Sequence, residues 1–334
     1  MGELRQTARQ LVGRGRGILA ADESVASATK RLEAVAVPST PETRRQYRDL
    51  FLSAPGIEAY LSGVILFEET MLQAGNDGVP FPDALTRRGI LPGIKVDQGL
   101  SPMPGSPEET VTNGLDGLSR RLEEYRAAGA RFAKWRAAFP IADGLPTDAC
   151  LAENARRLAA YAVACHAAGI VPMVEPEVLL DGNHDIRQSA VVTERVLRAT
   201  FAALAEANVD VSAVILKTSM VLAGAGSPHP SGPEEVGEET ARVLRICCPG
   251  DLAGVVFLSG GQTPVEATEN LQAVARRGVY PWPVTFSYAR ALQGPPLEIW
   301  GGHPDNVFLA RATFAKRLQL NVYASLGQYR PDME

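Results

Sequence analysis

Eight short apolar runs, most separated from the next by a helical pattern, constrain this 334-residue chain more than any other feature. The runs are Ile18–Ala21, Tyr60–Phe67, Gly93–Asp97, Phe132–Arg136, Gly169–Val178, Ala213–Lys217, Gly254–Ser259 and Pro283–Tyr288. Each is dominated by aliphatic, β-branched or aromatic residues and bounded by turn formers or charge, the pattern of a buried strand. Helical periodicity covers 25–36, 42–53, 114–128, 147–168, 186–207, 233–247 and 264–276, with a short helix at 2–12 and a last one at 304–326. Alternating strands and helices predict a parallel sheet, and eight units predict its closure into an α/β fold of the (β/α)₈ barrel type. The repeat of roughly 40 residues is longer than a minimal barrel unit and leaves room for functional loops. No linker or low-complexity tract divides the sequence, so residues 1–334 read as one barrel domain with a short N-terminal helix and a short C-terminal tail. The Pro/Gly-rich stretch Ala223–Pro233 reads as a strand-to-helix loop.

Charge and composition exclude several classes. A formal charge of −5 and a pI near 5.6 provide no basic field for nucleic acid. No apolar stretch approaches the ~18 residues of a membrane span. Met1–Arg16 lacks the apolar core of a signal segment. Cys150, Cys165, Cys247 and Cys248 show no paired-ligand spacing and read as reduced thiols of a cytoplasmic protein. His166, His184, His229 and His303 share no ligand spacing, so the expectation is no metal. Asp181–Asp185 lacks the calcium-loop pattern and reads as a turn.

The sixth run ends on Lys217. A buried ammonium must be paired, or lose its proton and act as an amine nucleophile toward a carbonyl. The other runs also carry polar residues at or near their carboxyl ends: Asp22, Lys95, Lys134, Arg136, Glu175, Glu177, Ser259 and Arg290. In a barrel these ends converge on one face, where active sites lie. Residues two apart on a strand share a side, so Lys134 points with Arg136, and Glu175 with Glu177. Such a cluster suits amine catalysis. Lys134 and Arg136 supply cations that favour a neutral Lys217, Glu175 or Glu177 is placed for proton transfer, and Asp22 is a candidate base for a substrate hydroxyl. Ser259-Gly260-Gly261 after the seventh run has the composition of a phosphate cradle, with Arg290 as a guanidinium fork. Ser24, Ser27 and Arg31 after the first run form a second candidate anion site, and two such sites suggest a bisphosphorylated substrate.

GILAADES (Gly17–Ser24), GVILFEET (Gly63–Thr70), GIKVDQG (Gly93–Gly99), FAKWR (Phe132–Arg136), VEPEV (Val174–Val178), LSGGQ (Leu258–Gln262) and TFSYARAL (Thr285–Leu292) together resemble class I fructose-bisphosphate aldolase. The motifs run in order from about residue 5 to about residue 330. The resemblance implies a homotetrameric barrel that uses no metal and cleaves fructose 1,6-bisphosphate reversibly into dihydroxyacetone phosphate and glyceraldehyde 3-phosphate. It implies Lys217 as the Schiff-base lysine and Glu175 as proton carrier around carbinolamine dehydration, with Glu177 supporting it. It further implies Asp22 at the substrate hydroxyl and Lys134 polarising the reacting centre. Lys95 and Arg136 would then contact substrate hydroxyls or the phosphate at the aldehyde end, and Ser24, Ser27 and Arg31 fall in the sugar- and phosphate-binding segment. Ser259, Gly260, Gly261, Ser287 and Arg290 would hold the phosphate of the dihydroxyacetone half.

Three departures stand out. Thr218-Ser219 follow the lysine where proline and asparagine are usual, which predicts a freer backbone. Ala289 replaces a usual glycine beside a phosphate-binding amide, so its β-carbon is expected either to shift the anion or to fit if its φ is negative. Many relatives carry a flexible tail ending in a tyrosine that assists proton exchange on the enamine. This chain ends at Glu334, soon after Tyr329, so that step is expected to be slower or to use another group. A related ketose phosphate, such as fructose 1-phosphate or sedoheptulose 1,7-bisphosphate, is an alternative substrate. A catalytically dead, protein-binding barrel is the alternative from another class.

Overall fold

The computed structural model describes residues 1–334. Eight parallel strands close a barrel: β1 (Gly17–Ala21), β2 (Leu61–Leu66), β3 (Leu91–Lys95), β4 (Phe132–Phe139), β5 (Val171–Val178), β6 (Ile215–Thr218), β7 (Gly254–Phe257) and β8 (Val284–Tyr288). Neighbours follow chain order, and β1 pairs with β8 through Ile18↔Ser287 to complete the ring. The helices are α1 (Gly2–Leu11), α2 (Val25–Glu33), α3 (Pro41–Leu52), α4 (Glu68–Met71), α5 (Phe81–Arg87), α6 (Leu118–Ala127), α7 (Asp148–Ala167), α8 (Ile186–Glu206), α9 (Pro233–Cys247), α10 (Pro264–Arg276), α11 (Arg290–Trp300) and α12 (Val307–Ser325).

Strand alternation divides the core in two. Leu19, Val64, Trp135 and Phe286 face outward and join the larger cluster under the helices. Ile18, Ile65, Phe132, Met173, Ile215 and Val256 face the lumen and fill it. Leu4, Ala8 and Leu11 of α1, with Val12, belong to this inner cluster and close the amino-terminal end of the barrel. Space in the lumen is made by glycine: a Cβ on Gly93 would lie 2.3 Å from the Phe132 ring.

The longest pairing is β4 with β5, eight residues each, in register from Phe132↔Val171 to Phe139↔Val178. These two strands run past the rest of the ring and carry Lys134, Arg136, Glu175 and Glu177 to the carboxyl face.

Several boundaries differ from the sequence reading. The sixth strand starts at Ile215, because Val211–Ala213 form a 3₁₀ turn in which the Asp210 side chain accepts from the Ser212 amide. The third strand spans Leu91–Lys95, which leaves Asp97 in the loop beyond it. The seventh strand ends at Phe257, before Ser259. The predicted helix at 114–128 begins only at Leu118, after Gly117 at φ 65°. An antiparallel hairpin, Leu100–Met103 with Ser106–Thr112, and helices α5 and α11 were not anticipated. Tyr329 is buried, with its hydroxyl donating to Glu334 at 3.2 Å and its backbone amide to Gln272 at 3.0 Å. No helix is long and apolar enough to cross a membrane.

Candidate active site

A cavity of about 810 Å³ opens at the carboxyl ends of the strands. All the residues singled out from the sequence line it except Gly261. Gly261 turns toward Leu180, where an added Cβ would lie 2.7 Å away, and borders a smaller side cavity. Gly260, at φ 53°, faces the cavity, and Gly261 follows it in the same turn.

At the centre runs a chain of opposite charges. Lys134 Nζ lies 2.6 Å from Asp22 Oδ2 and 2.9 Å from Glu175 Oε2, while the other Glu175 oxygen lies 3.0 Å from Lys217 Nζ. Lys217 and Glu175 are each 3 % exposed, Lys134 is 5 % and Asp22 is 8 %. Burial by itself raises the Asp22 carboxyl, but Lys134, Lys217 and Lys95 outweigh it and hold the group well below the usual carboxylate range. Burial likewise opposes ionisation of Glu175, and Lys134 with Lys217 overcome this against the repulsion of Asp22, so its carboxyl is lowered. Burial lowers the Lys134 ammonium, yet Asp22, Glu175 and Asp97 reverse the effect and raise it well above the usual lysine range. Lys134 is thus a cation held between two carboxylates, and Glu175 is in proton-transfer reach of Lys217.

The outer charges are paired as well. Arg136 Nε meets Glu177 Oε2, and Lys95 Nζ lies 2.6 Å from Asp97 Oδ1. Burial works against the Arg136 charge, and Glu177 restores it. The two ways of keeping a buried lysine therefore coexist. Lys217 sits in an ion pair, and its partner is a group able to accept its proton. The cations expected to discharge Lys217 are themselves neutralised, Lys134 by Asp22 and Glu175 and Arg136 by Glu177.

Two polar groups flank this centre. On one side Ser24 caps α2, its hydroxyl accepting from the Ser27 amide at 3.3 Å, and Arg31 in the last turn of α2 reaches the cavity. On the other, Ser259 and Gly260 follow β7, Ser287 is the penultimate residue of β8, and Arg290 opens α11 and donates to the Gly260 carbonyl. Ala289 has φ −108°, outside the left-handed region that would require glycine. The freer backbone expected at Thr218-Ser219 is not found. Thr218 is the last residue of β6, in register with Phe257, and Ser219 donates to the Val178 carbonyl at 2.8 Å.

The sequence reading passed over Asp97, which holds Lys95 and sits two residues beyond it; the spacing Lys-x-Asp on one strand face was the available signal. It also passed over Glu23, which binds Arg31 and Arg48, and Gln293, 262 positions from Arg31. Glu68, to which the Tyr125 hydroxyl donates at 3.0 Å, walls the cavity beside β2. No group of three or more His, Cys, Asp or Glu side chains has the arrangement to hold a metal ion.

This geometry has counterparts among known proteins. Residues 3–334 match the family model for class I fructose-bisphosphate aldolase. A probable fructose-bisphosphate aldolase class 1 of Xanthomonas campestris pv. campestris is 46 % identical over 329 residues, covering 98 % of each chain. The cytosolic fructose-bisphosphate aldolase 5 of Arabidopsis thaliana is 47 % identical over 328 residues, covering 98 % of this chain and 91 % of its own. A solved Plasmodium falciparum fructose-bisphosphate aldolase, in complex with TRAP and a small-molecule inhibitor, superposes with a TM-score of 0.97 at 46 % identity, over 98 % of this chain and 95 % of that one.

Proposed function

Since the chain belongs to the class I fructose-bisphosphate aldolase family, we propose that Lys217 is the lysine that forms the Schiff base with substrate. The protein is a lyase that cleaves fructose 1,6-bisphosphate reversibly to dihydroxyacetone phosphate and glyceraldehyde 3-phosphate, in glycolysis and gluconeogenesis. The observation that carries the assignment is the 3.0 Å contact between Lys217 Nζ and Glu175 Oε1, two nearly buried side chains at the floor of the cavity.

In this reading Glu175 takes a proton from Lys217, and the neutral amine attacks the ketone carbon. Glu175 then returns a proton to the carbinolamine hydroxyl, which leaves as water. The fixed charge of Lys134 on the other Glu175 oxygen favours that return, because it opposes a lasting neutral acid. The resulting iminium withdraws electrons from the neighbouring carbon–carbon bond. Asp22, kept ionised by three lysines, takes the proton of the hydroxyl as the bond breaks, and the electron pair moves into the enamine. Glu177 holds Arg136 in place, and Lys95 and Arg136 bind substrate hydroxyls or the phosphate at the aldehyde end. Ser24, Ser27 and Arg31 take part on that side, while Ser259, Gly260, Gly261, Ser287 and Arg290 hold the phosphate of the dihydroxyacetone half.

The test is borohydride reduction in the presence of dihydroxyacetone phosphate, followed by peptide mass spectrometry. One adduct is expected, on Lys217, absent from Lys217→Arg and unaffected by a strong chelator, since the electron sink is the iminium and no metal takes part. An adduct on Lys95 or Lys134 instead, or none, overturns the assignment. Family membership also supports a homotetramer, and the cytosolic relatives of Arabidopsis support a cytoplasmic location.

A further inference from the structure

We propose that Gln293 is a positioning residue for substrate phosphate, acting through Arg31. The inference rests on the reading of Arg31 as an anion-binding group of the aldolase site.

Arg31 is held by one nitrogen. Its Nη1 donates to Glu23, to Gln293 Oε1 at 2.6 Å and to the Tyr47 hydroxyl at 3.3 Å. Its side chain is 21 % exposed at the cavity wall, with Nε and Nη2 left for an incoming anion. The clamp itself lies mostly behind the cavity wall: Gln293 and Tyr47 are fully buried, Arg48 is 3 % exposed and Glu23, at the wall, is 9 %.

Charge counting separates the roles of the three acceptors. Glu23 is shared between Arg31 and Arg48, so one carboxylate faces two guanidinium groups and one positive charge is left over. A phosphate can take up that surplus. Gln293 and Tyr47 are neutral, so they fix the direction of Arg31 without cancelling the charge that the ligand needs. The Gln293 amide cannot be turned over, because its NH₂ would then meet the guanidinium. As placed, that NH₂ has no partner although buried. A donor in this state opposes folding, and an apolar side chain of similar length would avoid it. The residue is therefore explained by its oxygen, which accepts from Arg31 at 2.6 Å and more distantly, at 3.4 Å, from the Tyr47 hydroxyl.

Gln293 also lies one helical turn after Arg290 on α11. Arg290 donates to the Gly260 carbonyl at the other anion group. One short helix thus carries the arginine of one anion group and the anchor of the other, which fixes the distance between them.

A double-mutant cycle on fructose 1,6-bisphosphate cleavage tests this. Gln293→Met is expected to raise KM about tenfold with kcat within about twofold, the split for lost uniform binding. In an Arg31→Met background the same change is expected to add less than about twofold. Additive effects in the two backgrounds, or a fall in kcat with KM unchanged, overturn the proposal. Tyr47→Phe, which leaves the ring packing intact, is expected to raise KM in the same direction, and again only while Arg31 is present. Borohydride trapping at Lys217 is run on every variant. Its loss in the parent enzyme sinks the aldolase chemistry, whereas its retention beside additive KM effects sinks only the role given to Gln293.

Discussion

Glu175 stands between two ammonium groups, one on each carboxylate oxygen, and the arrangement assigns different work to each contact. In the proposed mechanism Lys134 stays charged and sets the acidity of Glu175, while Lys217 exchanges a proton with it. Glu175→Gln keeps the shape and removes the acceptor. It is expected to lower kcat by about 10²–10⁴-fold, the usual range for a lost general acid–base group, with KM little changed and the borohydride-trapped adduct forming proportionately more slowly. Adduct formation at the parental rate in a rapid-quench experiment would move the proton transfer to another group. At this scale the sequence was informative where chemistry and strand parity coincide. Charges at the ends of apolar runs are anomalous enough to single out Asp22, Lys134, Glu175 and Lys217 without any structure. It was silent where a residue matters only through a distant partner: nothing local to Gln293 or Tyr47 announces Arg31, and Glu23 was overshadowed by its neighbour Asp22.

The strands were legible because each is a short apolar run between breakers, and the lumen-facing set follows from alternation once the closed sheet is granted. Elements whose sequence contradicts their structure were not legible. The hairpin of residues 100–112 contains Pro102, Pro104, Gly105 and Pro107 and exposes much of its surface, so it has the composition of a loop. Helix α11 contains Pro295 and Pro296, residues that remove two backbone donors and argue against a helix when read locally. What keeps it helical is tertiary: Leu292, Leu297 and Trp300 are buried in the outer core. The glycines inside strands drew no attention in the sequence, yet Gly93 is a packing residue. Gly93→Ala drives a methyl into the Phe132 ring and is expected to destabilise the barrel by about 1–3 kcal/mol. Gly250→Ala, at a position with nothing within 4 Å of the added carbon, is the control. Thermal unfolding of the two variants checks this; equal midpoints would mean that the ring moves aside freely.

For the molecule as a whole, buried titratable groups dictate how stability changes with acidity. Burial holds His166 and His184 below the usual imidazole range, so the folded chain keeps them neutral while the unfolded chain takes up protons. Stability attached to them is complete above about pH 6.5 and declines as pH falls through that value. Asp22 and Glu175 are lowered, and their contribution is complete above about pH 4.5 and declines below it. The melting midpoint is therefore expected to be level near neutrality, to decline gently from about pH 6.5, and to drop steeply below about pH 4.5. His184→Leu should remove part of the gentle decline and leave the steep one; a midpoint unchanged from pH 7 to 5 would contradict this. The plug formed by α1 has a different consequence. With its lower end stoppered by Leu4, Ala8, Leu11 and Val12, the ring has a single doorway, and everything that enters must back out the same way. The two halves of a cleaved sugar then queue at one exit. On the proposed assignment of Lys217, the tethered half lies deepest, so the free aldehyde departs first.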